Sequence, residues 1–441
     1  MTHDHAGALR GKRVLLLQGP VGPFFWRLAR ELRRAGAEVH KVNFNGGDCL
    51  FYPARALLWR GPAESWPEHF AALLERLRID VVLLFGDCRP IHRAARDIAH
   101  GRGLSVGAFE EGYVRPNFVT FERFGVNGYS LVPRRPRFYT ALPRPLRAPE
   151  SEVGNTFWWA ALWATVYYLA SAILFPLFHR YRHHRPLTLL EAWPWLRSGW
   201  RKLTCAWTER SIMHTLTGRL SRKFFLVPLQ LSSDSQVSEH SCFPSVAHFT
   251  RHVVSSFARH APADVTLVIK HHPLDRGYRD YRRLIRSLAR EHGLSGRLLY
   301  IHDQHLPTLF DHMRGAVVIN STVGFSALTH GAPLKTLGVA IYDLEGLTFQ
   351  GGLDEFWTAA ASFRPDSDLL LRFRSYLIEQ TQINGTFYTG PIGTTAGAAT
   401  ALIAHAARAP RVPEPPVAAA PGHPVSHPAH EAAVAMRTVT R

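Results

Sequence analysis

Residues Val265–Asp275 read VTLVIKHHPLD, and residues Ala316–Leu328 read AVVINSTVGFSAL. In each, an apolar run of strand character stops at a cluster of side chains that donate hydrogen bonds or carry positive charge. Lys270, His271 and His272 close the first, and Asn320, Ser321 and Thr322 close the second. The second run passes straight into a helical pattern at Thr322, with Ser321 placed to cap it. In an open α/β sheet, ligands bind outside the carboxyl ends of the strands, and a helix N-terminus aims free N–H groups at an anion. The two strand ends therefore predict a phosphate site, and hence a nucleotide. Gln230 closes a third such run, FFLVPLQ. It joins Lys270, His272, Pro273, Asn320, Ser321 and Thr322 as a candidate nucleotide contact.

The same alternation runs along most of the chain. Strand patterns at Arg13–Gln18, Ala37–Phe44, Ile79–Phe85 and Leu104–Phe109 alternate with helical patterns at Trp26–Ala35 and Ile91–His100. It resumes at Phe224, with helices expected over Ser245–Arg259 and Tyr278–His292 and further strands in LLYIHD, AVVIN and PLKTLG. Strands alternating with helices give parallel sheets covered on both faces. The expected fold is α/β with two Rossmann-like domains. The expected boundaries are an N-terminal domain over 1–150, an apolar and basic helical insert over 151–215, a C-terminal nucleotide domain over 216–409, and a disordered tail rich in Pro, Ala and His over 410–441.

Candidate catalytic groups sit at strand ends of the first half. FGDCRP puts Asp87 after the third strand, and FEEGYVRP puts Glu110 and Glu111 after the fourth. Carboxylates at adjacent strand ends face one cleft and supply a base, a nucleophile or an acid. Each could equally cap a helix or pair with Arg89 or Arg115. Adjacent strand residues point to opposite faces, so Glu110 and Glu111 should not both reach one substrate. Asp87 and Glu111 rank level, with Glu110 behind. GPVGPFF after the first strand lacks both the GK[ST] ending and the GxGxxG spacing, so Gly19 marks a tight turn that lets an acceptor or sugar approach the backbone. Asn45 in NFNGGDCLFY is either part of a turn or a contact to sugar hydroxyls, and with Gly19 and Arg115 it forms the candidate acceptor set. The DSD at Asp366–Asp368 precedes LLLRF and reads as a helix cap rather than a metal motif. No metal is expected.

The formal net charge of +18 asks for an anionic partner or reflects an Arg-rich composition. Neither zinc-finger spacing nor an RNA-binding aromatic signature is present, so nucleic acid is not expected. The cysteines (Cys49, Cys88, Cys205, Cys242) lack metal or redox spacing. The polar start of the chain does not read as a signal peptide, which predicts a cytoplasmic location. Trp158–Phe178 holds no charged residue and is followed by HRYRHHR. The length would suffice for a span, but a span would separate the two halves of one site. Aromatic residues with a basic flank fit a membrane interface, and a hairpin buried between domains is the alternative.

QGPVGPFFWRLARELRRAGAEVHKVNFNGGDCLFY, FGDCRP, EEGYVRP, KHHP and INSTVGFSAL, in this order, resemble the capsule polysaccharide biosynthesis and export family, in particular its KpsS/LipB group. The resemblance spans Arg13–Tyr388. It implies a GT-B-like retaining β-Kdo glycosyltransferase that moves Kdo from CMP-Kdo to lyso-phosphatidylglycerol, starting the lipid-linked linker of a capsular polysaccharide. It implies no cofactor beyond the CMP-sugar donor. It also implies a phospholipid acceptor at the inner face of the cytoplasmic membrane and partnership with other capsule assembly and polysaccharide transport proteins. His272, Pro273, Ser321 and Thr322 carry over as the CMP site, and Glu111 stands where polymerising relatives often have Asp. The competing expectations are a non-catalytic assembly or export factor on the same scaffold, and an epimerase of soluble nucleotide sugar.

Overall fold

The computed structural model describes residues 9–144, 150–181, 192–390 and 392–408. Among them are twelve strands: β1 Arg13–Leu16, β2 Glu38–Asn43, β3 Leu57–Leu58, β4 Val81–Phe85, β5 Ser105–Glu111, β6 Phe118–Arg123, β7 Phe224–Pro228, β8 Thr266–Lys270, β9 Leu298–Ile301, β10 Gly315–Val318, β11 Leu334–Thr336 and β12 Gln382–Asn384. They form two sheets, one in each of two compact units.

The first unit's sheet has the order β12-β6-β5-β4-β1-β2-β3. β1 to β5 are parallel, β6 runs antiparallel to β5, and the edge strand β12 runs antiparallel to β6 and so in the direction of the others. All five residues of β4 (VVLLF) are buried, as expected of a parallel strand covered on both faces. The helix Phe24–Arg34 buries Phe24, Phe25, Leu28, Ala29 and Leu32, a stripe at helical period. They enter one core with Phe109, Phe121, Phe387, Ala396, Ala399 and Ile403. The last four of these place β12 and the helix Ile392–Arg408 in the first unit.

The second unit's sheet is parallel throughout, with the order β11-β10-β7-β8-β9. Its core joins Phe225, Val227, Val253, Phe257, Leu267, Ile269, Val317 and Trp357. Two Rossmann-like α/β units, the expected GT-B-like composition, are thus present. The partition differs from the expected boundaries: described residues 150–181 and 375–408 belong to the first unit, and 133–144 and 192–374 to the second. The expected tail over 410–441 lies outside the described residues.

The uncharged segment forms the helix Phe157–Ile173 and a short 3-10 turn, Phe175–Phe178. Among the described residues no helix is long and apolar enough to cross a membrane. One face of the helix buries Tyr167 and Ser171 against the helix Gly46–Phe51. The rest leaves Trp158 and Ile173 about as open as side chains on a free helix, at 75% and 67% exposure. The buried face packs within the first unit rather than between the two units.

The contact depends on two glycines. A Cβ on Gly46 would stand 2.2 Å from the Ala170 carbonyl oxygen, and one on Gly47 would stand 2.3 Å from the Tyr167 ring. Backbone oxygen cannot swing aside as a side-chain tip can, so Gly46→Ala must push the helices apart. We expect a loss of about 1–3 kcal/mol, seen as a lower urea midpoint, with faster proteolytic cleavage near residue 157. An unchanged midpoint would show that the contact is looser than drawn.

Candidate active site

Each sheet reverses its winding direction once. In the first unit the chain goes from β1 out to β2 and β3, then returns to β4 and β5 on the other side of β1. In the second it goes from β7 to β8 and β9, then to β10 and β11 on the other side of β7. The crevice at such a switch point is where ligands bind open α/β sheets. Both units place a Gln there, one just after each first strand.

In the second unit Gln230 follows β7 and Asn320 follows β10. Gln230 Nε2 donates to Asn320 Oδ1 at 2.9 Å, and the Asn320 amide donates to Gln230 Oε1 at 3.3 Å. Ser321 caps the helix Thr322–Thr329, accepting from the Val323 amide. Gly324 leaves room for Tyr342, whose hydroxyl donates to the Ser321 carbonyl at 2.5 Å. On the other side of β7, Asp275 accepts from the Ser232 amide at 3.0 Å and its hydroxyl at 2.9 Å. Three strand ends are thereby tied into one edge that carries the expected nucleotide residues. His272 Nδ1 accepts from the Leu274 amide at 3.2 Å, capping the short turn Pro273–Asp275. Lys270 is buried, and burial lowers its pKa while Asp303 opposes the drop. His271 is pushed down to about 3 by burial and by His302, so it is a neutral ring, hydrogen-bonded to the Tyr300 hydroxyl at 2.7 Å. Pro273 is exposed, and Ser321 and Thr322 are half-buried.

In the first unit Gln18 follows β1 and Arg89 follows β4. Arg89 Nη1 donates to Gln18 Oε1 at 2.7 Å across the switch point. Gln18 Nε2 donates to the Tyr167 hydroxyl at 3.0 Å and to Asp48 at 3.2 Å, and the Tyr181 hydroxyl donates to Gln18 Oε1 at 3.1 Å. Two tyrosines of the insert therefore close over this crevice. Burial and Asp48 hold both phenols above their ordinary pKa, that of Tyr167 well above, so they stay neutral donors.

Asn45 lies in this network. It caps the Gly46–Phe51 helix by accepting from the Asp48 amide, and its Nδ2 donates to the Tyr167 hydroxyl at 2.6 Å. At Gly19 the space is filled by Phe25, whose ring would stand 2.7 Å from an added Cβ. The turn serves packing of the first helix there. Arg115 is exposed and its Nε donates to the Gly112 carbonyl. Of the candidate acceptor residues, Asn45 thus joins the Gln18 network, Gly19 packs on Phe25 and Arg115 is exposed.

The three carboxylates separate. Asp87 is fully buried. It accepts from the Val126 amide at 2.8 Å and from Cys88 Sγ, and stands 3.8 Å from Arg96 Nη1. Burial raises its pKa against the pull of these partners. That environment is a structural anchor, not a reactive group facing a cleft. Glu111 is half-buried and accepts from the Tyr388 hydroxyl at 2.6 Å. Glu110 is half-buried on the opposite face of β5, toward Gly86 and Arg89. Burial, with help from Glu111 and Asp87, pushes its pKa up to about 7. Glu110 is therefore the carboxyl group poised to exchange a proton near neutrality, and it moves ahead of Asp87.

Asp366 caps the helix Ser367–Gln380, accepting from the Asp368 and Leu369 amides, as the DSD motif predicts. One grouping that spacing did not suggest is Cys205, Glu209 and His302, whose potential ligand atoms lie within 4.8 Å of one another. There His302 Nδ1 already meets Glu209 Oε1 at 2.5 Å. Gln18, Tyr167, Tyr181 and Tyr388 join these networks although motif reading passed over them, and Arg89, read only as a possible ion-pair partner, bonds Gln18. Gln18 carried the same signal as Gln230, a polar side chain at the end of an apolar strand.

Residues 80–388 match the family described as capsule polysaccharide biosynthesis protein. The chain is 43% identical over 392 residues to the capsule polysaccharide export protein KpsS of Escherichia coli, covering 86% of this chain and 98% of that one. It is 42% identical over 388 residues to the capsule polysaccharide modification protein LipB of Neisseria meningitidis serogroup A, covering 86% and 92%. Among solved structures, a β-Kdo 2,7 transferase, KpsC of Thermosulfurimonas dismutans, aligns with 83% of this chain and 99% of its own at 14% identity and a TM-score of 0.37. At that distance no residue role is carried across.

Proposed function

This chain belongs to the capsule polysaccharide biosynthesis protein family, and we propose that it is a glycosyltransferase that moves Kdo from CMP-Kdo to a lyso-phosphatidylglycerol acceptor at the inner face of the cytoplasmic membrane. The observation that carries the reading is the second unit's switch-point edge, where Gln230 and Asn320 are joined beside the helix start capped by Ser321, and His272 caps the turn after the neighbouring strand β8. A CMP-sugar leaves as a monophosphate. Helix N–H groups and neighbouring polar side chains stabilise such a leaving group directly, without a metal. The chain also carries carboxyl groups at the ends of apolar strands. In a retaining double displacement, a carboxylate attacks the anomeric carbon as the bond to CMP breaks. The acceptor hydroxyl then displaces the carboxylate, its proton passing to a general base or to solvent. Glu110 is the first candidate for the attacking carboxylate, and Glu111, on the other face of β5, is the alternative to it.

The test is to incubate the purified chain with CMP-Kdo and a synthetic lyso-phosphatidylglycerol and to weigh the lipid by mass spectrometry. A mass increase of one Kdo residue with release of CMP is expected. CMP binding without any transfer would favour the assembly or export scaffold instead, a reading to which the buried state of Asp87 lends some weight.

The donor site has its own test. His272→Ala removes the ring that caps the Pro273–Asp275 turn and one polar group of the edge. We expect CMP affinity to fall about tenfold to a hundredfold, the range for hydrogen bonds to charged groups, with the fold intact by circular dichroism. Unchanged affinity in calorimetric titration would move the donor site elsewhere.

A further inference from the structure

The helix Ala192–Thr208 has an inner face fixed to residues 276–280, the segment that follows the candidate donor loop. Arg201 Nη1 donates to the Arg276 carbonyl at 2.7 Å, and Nη2 donates to Asp280 at 2.8 Å. Gly277 has no Cβ where one would stand 2.1 Å from the Pro194 carbonyl oxygen, and Cys205 is buried. The outer face is different. Trp193, Leu196, Trp200, Leu203 and Trp207 recur at alternating steps of three and four and are 69%, 68%, 68%, 69% and 70% exposed. At 100° per residue they fall within an arc of about 80°, a continuous apolar stripe with no cover among the described residues.

We propose that this stripe docks into an anionic phospholipid surface. The charge of the helix fits that occupant. It carries Arg197, Arg201 and Lys202 and no acidic residue. Arg197 and Lys202 are exposed, and Arg210 just beyond the helix lies over the Trp207 ring at 5.8 Å. Trp beside Arg and Lys is the composition of helices that lie in the headgroup region, where the indole has an apolar body and a polar edge. Anionic headgroups then attract the flanking cations. A second copy is the less suitable occupant, because a helix dimer at this spacing favours branched aliphatic residues where this stripe has three tryptophans. The inference rests on the reading of the acceptor as a membrane lipid. It adds that the helix holding residues 276–280, the segment directly after the loop of Lys270–Asp275, is itself the part that meets the bilayer, so the donor edge is presented where the acceptor lies.

The experiment is flotation of the full chain with vesicles of phosphatidylcholine and with vesicles of phosphatidylcholine and phosphatidylglycerol in equal parts. The wild type is expected to float with the anionic vesicles, less so as salt rises. The combined variant Trp200→Ser, Leu203→Ser, Trp207→Ser should lose at least about tenfold in apparent affinity, and Arg197→Glu with Lys202→Glu should lose affinity without altering the stripe. All five positions face solvent, so both variants should keep the wild-type circular dichroism. No wild-type binding, or binding by both variants as tight as the wild type's, overturns the proposal. So does a wild-type dimer in sedimentation that the triple variant dissolves while vesicle affinity is unchanged. Transfer to detergent-dispersed lyso-phosphatidylglycerol separates the two readings. If the wild type fails there but binds vesicles, the enzymatic reading falls and this one stands; if it transfers there but never binds vesicles, this one falls.

Discussion

Asp87→Ala is expected to unfold the first unit more readily rather than to stop chemistry in a folded protein. The carboxylate has no exposure and three partners: the Val126 amide, the Cys88 thiol and Arg96. Arg96 is itself buried, with its guanidinium 3.6 Å from the Tyr129 ring centroid. Removing Asp87 leaves the buried Arg96 with Asp97 alone, at 2.8 Å, as its counter-charge and leaves the Val126 amide without its acceptor, which costs about 1–3 kcal/mol. A large fraction of a typical domain's stability would go. Urea denaturation should show the midpoint falling steeply. If the variant instead folds with near wild-type stability and has lost Kdo transfer, Asp87 is a reacting group and its assignment as an anchor is wrong.

Asp87 shows how far a strand-end reading goes. FGDCRP placed the residue correctly at the end of β4, and that position is where catalytic groups gather. The sequence could not show that the chain after β6 returns to lay Gly125 and Val126 over the carboxylate; an added Cβ on Gly125 would stand 2.6 Å from Asp87 Oδ2. That is a long-range event, and local pattern has no term for it. Distinguishing Glu110 from Glu111 failed for a related reason. Strand alternation predicted that they would diverge, but which face held Tyr388 depended on residues 375–408 returning to the first unit. β12 has three residues, too few for any periodicity, and the helix Ile392–Arg408 is built of Ala, Gly and Thr with little contrast between its faces. The parallel core strands were legible because each is a short unbroken apolar run. The second unit's ligand edge was legible because its polar residues adjoin those runs in sequence. The first unit's crevice was not, because Tyr167 and Tyr181 enter it from an insert that reads only as an apolar, basic segment.

Glu110→Gln should have the largest effect on transfer. If Glu110 is the group that attacks the anomeric carbon or takes the acceptor proton, its amide can do neither, and the rate should fall about a thousandfold or more with CMP affinity nearly unchanged, since Gln230, Asn320 and His272 are untouched. Glu111→Gln should cost less, because Glu111 is held by Tyr388 on the other face of β5. The acid–base state gives a second readout. With its pKa pushed up to about 7 by burial, Glu110 is charged only above neutrality, so wild-type transfer should rise from pH 6 to pH 8 and level off. Stability should move the opposite way. The folded state holds this proton more tightly than the unfolded chain, where a Glu titrates near its model value of 4.5, so between pH 4.5 and about 7 folding is accompanied by proton uptake and stability falls as pH rises. Above about 7 the full cost of a buried charge, about 3 kcal/mol, is present. Glu110→Gln removes that ionisation, so the variant should gain on the wild type in urea midpoint as pH climbs through this window while it loses transfer. A variant that keeps near-normal turnover would remove Glu110 from the chemistry and leave Glu111, or a front-face reaction with no protein nucleophile. Equal pH dependence of stability in variant and wild type would show that the raised pKa belongs to another group.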